Sequence, residues 1–135
     1  MRSAPAAAAA YAALIFAAGF VLGSLRVLVL APRLGEVVAV LVEVPVMLAL
    51  SWLVARWAVA RFAVPPEAAA RLAMGALAFA LLLAAEMALG LWGFGRSVAE
   101  VAAGMTSAGG LIGLAGQVGF GLMPLFLLAG PDAGR

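Results

Sequence analysis

The chain contains no cysteine, no histidine and no lysine among its 135 residues. Without cysteine there are no disulfide bonds and no thiolate metal sites. Without histidine the chain lacks the commonest general base and the commonest metal ligand, so we expect neither a metal site nor a cofactor. All eight basic residues are arginines. They form no basic run, so we expect no nucleic-acid partner.

Charge is scarce as well. Charged residues make up 10% of the chain, 67% of the residues are hydrophobic, and the mean hydropathy is +1.22. A soluble domain has about 25% charged and about 45–50% apolar residues. This apolar excess cannot be buried in one small soluble core, so the lipid bilayer is the expected solvent. The abundance of alanine and arginine is typical of a GC-rich genome, and we expect a bacterial inner membrane protein.

Four apolar windows are each long enough to cross a bilayer as a helix, which takes about 20 residues. They are residues 8–30, 35–57, 72–95 and 105–129, separated by the turn-forming segments APRLG (31–35), VPPE (64–67) and GRSVAEVAAG (95–104). The sequence therefore predicts an all-α integral membrane protein, a four-transmembrane-helix bundle with residues 1–135 as one domain. Residues 1–19 resemble a signal peptide, but the apolar run continues to Leu30, so we expect an uncleaved first span.

The distribution of arginine predicts an orientation. With four spans, both termini and the connection between the second and third spans lie on one side of the membrane. That side carries Arg2, Arg56, Arg61, Arg71 and Arg135, and the other side carries Arg26, Arg33 and Arg96. Five arginines against three favour cytoplasmic termini. Trp52 and Trp57, next to two of these arginines, are typical of an interfacial belt in which arginine side chains reach the headgroups.

The two halves of the chain share a weak pattern. GSLR (23–26) and GFGR (93–96) have the same Gly-x-x-Arg spacing, and further along Glu43 can be matched to Gln117. Because two spans restore the original chain direction, a duplication would give a parallel 2+2 repeat. Alanine, glycine and leucine often match by chance, so the alternative of no duplication stays open.

Each predicted span carries one polar side chain that is costly in hydrocarbon. The four are Arg26, Glu43, Glu86 and Gln117. At about 1.5 Å per residue they lie about 8–18 Å from the non-cytoplasmic ends of their spans. Their similar depth predicts that they meet inside the bundle. At the non-cytoplasmic end, Arg96 and Glu100 are spaced as a local helical ion pair.

Small residues and prolines accompany these polar positions. The candidate helix-packing glycines are Gly19, Gly23, Gly90, Gly93, Gly109, Gly113 and Gly121. Pro45 and Pro124 are candidate helix kinks. Each lacks a backbone N–H and so frees the carbonyl four residues earlier, that of Leu41 or Phe120. Proline kinks in spans usually only shape packing.

Two functions fit this pattern. In the first, Arg26 lies between Glu43 and Glu86, Gln117 completes a structural network, and the chain is a structural or accessory component of the membrane. The alternative is a small proton- or cation-coupled transporter or channel that uses both acids, because an unneutralised Glu in hydrocarbon can carry a proton or release it to a cation. The size and span number are similar to the small multidrug resistance exporters, but the first span here has no acid, so no family is assigned.

No enzyme is expected, because no nucleophile–base pair, no catalytic motif and no metal cluster is visible. With almost no mass outside the spans, the expected partners are the lipid bilayer, other copies of the chain or other membrane subunits.

Overall fold

The computed structural model describes residues 3–129, and within this range the chain is helical without any strand. Four helical segments in this range are long and apolar enough to cross a membrane: Ser3–Leu34, Glu36–Arg61, Ala68–Gly93 and Ala108–Ala129. The prediction of an all-helical chain with four candidate spans is confirmed. Two parts of the predictions lie outside the described residues. They are the first two residues of the predicted signal-like segment, and the arginines Arg2 and Arg135 that were counted for the orientation.

The first candidate span consists of α1 (Ser3–Leu25), a π-helical turn (Arg26–Leu30) and α2 (Ala31–Leu34). Gly35 ends it at φ 84°, a backbone conformation that glycine adopts without steric cost. The second candidate span, α3 (Glu36–Arg61), begins directly after this residue and continues through Pro45. A single glycine therefore makes the whole connection between the first two spans.

The second half of the chain begins with α4 (Ala68–Ala88), which continues into another π-helical turn (Leu89–Gly93). The short helix α5 (Val98–Thr106) precedes α6 (Ala108–Phe126), which ends in a 3-10 turn (Leu127–Ala129). The first and the third candidate spans therefore each contain a π-helical turn shortly before the chain turns back into the next span.

The ion pair predicted between Arg96 and Glu100 does not form. The Ser97 N–H donates to the Glu100 carboxylate at 3.2 Å, and the Glu100 N–H donates to the Ser97 hydroxyl at 3.1 Å. This capping box begins α5 at Ser97. Arg96 precedes the helix, so helical spacing does not apply to it, and its guanidinium lies 5.2 Å from the ring centroid of Phe94.

α3 ends in a Schellman motif. The Val64 N–H donates to the Val59 carbonyl at 3.0 Å, and the Ala63 N–H donates to the Ala60 carbonyl at 3.4 Å. Ala63 takes φ 52°, a position where glycine is usual. Val59 and Val64 are both buried, which supplies the apolar contact of the motif. The motif turns the chain back across the end of the bundle towards α4.

The bundle is a four-membered ring in which α1 and α6 are each packed against both α3 and α4. We call the end where α1 and α4 begin the N-terminal end and the other the far end.

The arrangement of the helices limits how the two halves of the chain can be related. A two-fold axis along the bundle would exchange helices on opposite corners of the ring, which are α1 with α6 and α3 with α4. The helices of each of these pairs run in opposite directions, and such an axis keeps the direction of a helix. The two halves can therefore be related by a displacement but not by such an axis. Whether the halves are duplicated stays a prediction.

The buried apolar core lies in the N-terminal half of the bundle. Its largest members are Tyr11, Ile15, Met74 and Phe120, and most of the others are alanines of α1, α3 and α4. Small side chains on three helices let the backbones approach closely. The predicted polar residues lie towards the far end, outside this core.

α4 and α6 approach each other closely at Gly75 and Gly121. A Cβ atom on Gly75 would overlap the Gly121 carbonyl, and a Cβ on Gly121 would lie 3.3 Å from the Phe79 Cβ. Gly75 is not among the predicted packing glycines. Neither are Gly116 and Gly119, where an added Cβ would meet Val44 and Leu48 of α3 at 3.2 and 2.9 Å.

The seven predicted packing glycines have different surroundings. Gly19, Gly109 and Gly121 face other candidate spans, and Gly90 faces Val101 of α5. A Cβ on Gly23 or Gly93 would approach only a side chain of its own span, and one on Gly113 would meet nothing within 4 Å among the described residues. The spacing of four explains why Gly113 lacks such a contact. Each step of four residues advances about 40° beyond a full turn, so glycines at this spacing do not all lie on one face of α6.

Candidate functional site

Arg26 and Glu43 form an ion pair between the first two candidate spans. Arg26 Nη1 lies 3.1 Å from Glu43 Oε2, and the two side chains are 31% and 14% exposed. The contact is electrostatic, because this oxygen has no partner in the described residues at hydrogen-bonding angles. Arg26 is the first residue of the π-helical turn, and π turns are rare and frequently lie at functional sites.

Glu86 and Gln117 form the second polar pair, between α4 and α6. The Gln117 Nε2 amide donates a hydrogen bond to Glu86 Oε1. Arg26 is near enough to attract Glu86 electrostatically, but within the described residues Glu43 is the only acid at ion-pair distance from it. The direct partner of Arg26 is thus Glu43, and that of Glu86 is Gln117.

The four predicted residues therefore form two pairs, and each pair joins the two spans of one half of the chain. One positive charge stands opposite two acids, and an amide completes the group. Within residues 3–129 no three His, Cys, Asp or Glu side chains lie together as a metal site would require. The arrangement can fix the register of two helical hairpins, and it places one acid, Glu86, against a neutral partner.

The carbonyl freed by Pro124 has a hydrogen-bond partner. The Tyr11 hydroxyl donates to the Phe120 carbonyl at 2.7 Å, and the two rings stack with centroids 4.2 Å apart. Tyr11 is completely buried, and its hydroxyl also lies beside that of Ser51. The contact crosses the diagonal of the bundle from α1 to α6. The structure thus replaces the missing amide of the proline with a phenol from another helix.

We expect Tyr11→Phe to lower the free energy of unfolding by about 1–3 kcal/mol, because the buried Phe120 carbonyl would lose its donor. The loss should be much smaller in a Pro124→Ala background, where the backbone N–H restored by the alanine can donate to the same carbonyl. The measurement is a double-mutant cycle by denaturant unfolding in detergent. Equal losses in the two backgrounds would contradict the assigned contact.

Arg71 is a polar core residue that the sequence analysis missed, because it was counted as a charge on the cytoplasmic side. It is only 2% exposed. Its Nε donates to the Pro65 carbonyl at 3.2 Å and its Nη1 to the Pro124 carbonyl at 3.1 Å. The signal was present in the spacing, since Arg71 shares the helical stripe of Gly75 and Ala78. Without Arg71, the arginine count that predicted the orientation falls from five against three to four against three.

Aromatic and arginine side chains that are exposed or partly exposed cluster near the end of α3. Trp52 and Trp57 are 36% and 47% exposed. The Arg56 guanidinium lies 4.7 Å from the ring centroid of Trp52, and that of Arg61 lies 5.5 Å from the ring centroid of Phe62. An apolar ring with a cation stacked on it is a side-chain arrangement suited to a membrane–water interface.

Comparison with family models, with curated proteins and with solved structures finds no match for this chain. Two features of the bundle bear on function: the paired polar side chains towards its far end, and the buried arginine at its N-terminal end.

Proposed function

We propose that this chain is a multi-pass protein of a bacterial inner membrane, with cytoplasmic termini and a non-enzymatic structural or accessory role. The observation that carries the proposal is the closed contact of 3.1 Å between Arg26 Nη1 and Glu43 Oε2. A carrier needs an acid that is free to exchange a proton or a cation, whereas a closed pair ties two helices together.

The energetics of a membrane interior support this role. A charge buried without a partner costs several kcal/mol, so a pair, once formed, resists any sliding of one helix along the other. The first pair fixes α3 against the first span, and the second fixes α6 against α4. Each helical hairpin thus has its own polar pair.

The apolar surface of the bundle supports lipid, other copies or other membrane subunits as partners. Leu28, Trp92 and Val98 are 76%, 82% and 64% exposed. They belong to an extended set of exposed apolar side chains, and a large exposed apolar surface favours contact with lipid or with another protein. The face around Trp92 lies at the far end, where the chain leaves the third candidate span.

The alternative function is a small proton- or cation-coupled transporter or channel that uses Glu43 and Glu86. One observation favours it. Among residues 3–129, Glu86 has no arginine within ion-pair distance, and its direct partner is a neutral amide. An acid inside a membrane without a paired cation is by default a candidate for proton or ion passage.

Measurement of proton and cation flux distinguishes the structural role from the transporter or channel. We expect proteoliposomes containing the wild-type chain to show no more proton or monovalent-cation flux than protein-free liposomes, measured with an internal pH-sensitive dye under a potassium-diffusion potential. The structural role predicts this outcome because the acids serve as fixed contacts. Glu86→Gln, which keeps an acceptor oxygen for Gln117, should leave this baseline unchanged.

A flux above the baseline that Glu86→Gln abolishes would overturn the structural role in favour of transport. Glu67→Gln is the matched control, since Glu67 is exposed in the connection between α3 and α4. A flux that also disappears in this control would point to faulty reconstitution of the variants, which recovery of folded protein from each liposome preparation would detect.

A further inference from the structure

The N-terminal end of the bundle contains an open cavity of about 760 Å³ between the end of α3, the following loop and the 3-10 turn after α6. Its wall is mainly apolar, with Leu53, Trp57, Val64 and Leu127 among the lining residues. Leu53 and Trp57 are 52% and 47% exposed, so the cavity opens on the outer face of α3. A volume of this size lies within the range of small-molecule sites, about 300–1,000 Å³.

Arg71 lines this cavity and brings a positive charge to it. A guanidinium has five N–H groups. Two of them donate to the Pro65 and Pro124 carbonyls, which are neutral. No carboxylate of residues 3–129 lies within 4.0 Å of Arg71, although the side chain is 98% removed from solvent. A buried cation in this position is stabilised by an anion in the adjoining space.

We propose that this cavity binds the phosphate-bearing headgroup of an anionic phospholipid, with the Arg71 guanidinium as the partner of the phosphate. Arginine suits this role because its planar fork of donors matches phosphate oxygens. The apolar wall formed by Leu53, Trp57 and Leu127 accommodates the upper acyl chain. A lipid fits this combination better than free phosphate does, because free phosphate has no apolar part to contact the apolar wall.

The position of the cavity agrees with this occupant. The arginines and tryptophans at the end of α3 mark this level as the membrane interface, and anionic lipids concentrate in the cytoplasmic leaflet. Arg56 also lines the cavity. This inference rests on the proposed membrane location and orientation, but not on the structural or transport role of the far-end polar pairs.

The test is native mass spectrometry of the full chain, released from nanodiscs of phosphatidylglycerol and phosphatidylcholine in a ratio of about 1:4. We expect the wild type to retain phosphatidylglycerol over phosphatidylcholine by about fivefold beyond this ratio, since one arginine near the membrane surface contributes about 1 kcal/mol. Arg71→Lys, which keeps the charge but loses the fork, should weaken this preference.

A second variant keeps the test decisive if Arg71→Lys fails to fold. Ala60 is exposed and lines the cavity but makes none of the hydrogen bonds of Arg71. Ala60→Trp should fill the space and abolish the preference without lowering the melting temperature. Arg33→Gln removes an exposed arginine at the opposite end of the bundle and should leave lipid retention unchanged.

Four results would overturn the proposal. The first two are equal retention of the two lipids by the wild type and a preference that survives Ala60→Trp. The third is displacement of the bound lipid by inorganic phosphate, which would assign the site to free phosphate. The fourth is a preference seen only after Asp132→Asn, which would mean that the carboxylate of Asp132, in the segment after Ala129, is the partner of Arg71. A chain that alkaline carbonate extracts from membranes would instead refute the membrane location itself.

Discussion

Gly75→Ala should destabilise the bundle by about 3 kcal/mol, near the upper end of what overpacking a buried contact costs. A Cβ at this position would overlap the Gly121 carbonyl oxygen, lie 2.9 Å from the Gly121 carbonyl carbon and approach Pro124 Cδ at 3.6 Å. These are mainly backbone atoms, which cannot rotate away as a flexible side chain can. The only relief is to separate α4 from α6, and this would also pull on the Arg71 contact to Pro124.

Gly113→Ala is the matched control for this prediction. Gly113 also lies within α6, but a Cβ there meets no atom within 4 Å among the described residues. In a helix interior alanine is favoured over glycine by about 1 kcal/mol, so this variant should be unchanged or slightly more stable. The measurement is unfolding by increasing SDS mole fraction, followed by circular dichroism. Equal stability of the Gly75 and Gly113 variants would show that α4 and α6 do not cross at Gly75.

Glu43→Gln should lower the free energy of unfolding by about 2–3 kcal/mol. Removing one member of a buried ion pair costs about 3–5 kcal/mol, because the other charge is left without a partner. We place the effect below that range because Arg26 is 31% exposed and water or headgroups can solvate part of its charge. Glu67→Gln, in an exposed position, should have no effect within measurement error.

The double variant Arg26→Met/Glu43→Leu tests whether Glu43 stabilises the bundle through its ion pair with Arg26 or through other groups. Replacing both members of a buried ion pair with apolar side chains is often neutral or stabilising. We therefore expect the double variant to recover most of the stability that Glu43→Gln loses, measured in the same SDS titration. A double variant as unstable as the single one would mean that Glu43 acts through groups other than Arg26.

The two predictions bear on different parts of the bundle. Gly75 is buried beside the apolar core of the N-terminal half, whereas Arg26 and Glu43 lie towards the far end, outside that core. Effects of distant substitutions usually add. The triple combination of Gly75→Ala with Arg26→Met/Glu43→Leu should therefore be about as unstable as Gly75→Ala alone. A marked departure from this sum would show that the core and the polar pairs are mechanically coupled.

The four helices could be predicted because a bilayer-length apolar run is a local property. About 20 apolar residues between Gly and Pro breakers indicate a span whatever its neighbours are. The ends of the helices differ from the predicted windows by up to five residues. Alanine, which dominates the first turns of α1 and α4, is the strongest helix former, so these helices begin earlier, at Ser3 and Ala68.

The helix-packing surfaces were predicted less well. A stripe at a spacing of four identified Gly109 and Gly121 but also Gly113, which faces open space. The stripe drifts around α6, and its parts face α3 at one end and α4 at the other. Gly75 carried no signal of its own, since a single glycine in an alanine-rich helix forms no pattern. Its role depends on which residue of another helix lies opposite.

Sequence by itself determined the helical class, the four candidate spans and the four polar residues within them that need partners. The cost of a charged or amide side chain in an apolar helix does not depend on the fold. Only the tertiary structure decided how those residues pair: Arg26 with Glu43, and Gln117 with Glu86. It also placed Arg71 inside the bundle and supplied the Tyr11 hydroxyl to the carbonyl freed by Pro124. Such contacts join residues far apart in the chain, and the physical reason is that their distances depend on which helices are neighbours in the ring, which no local pattern specifies.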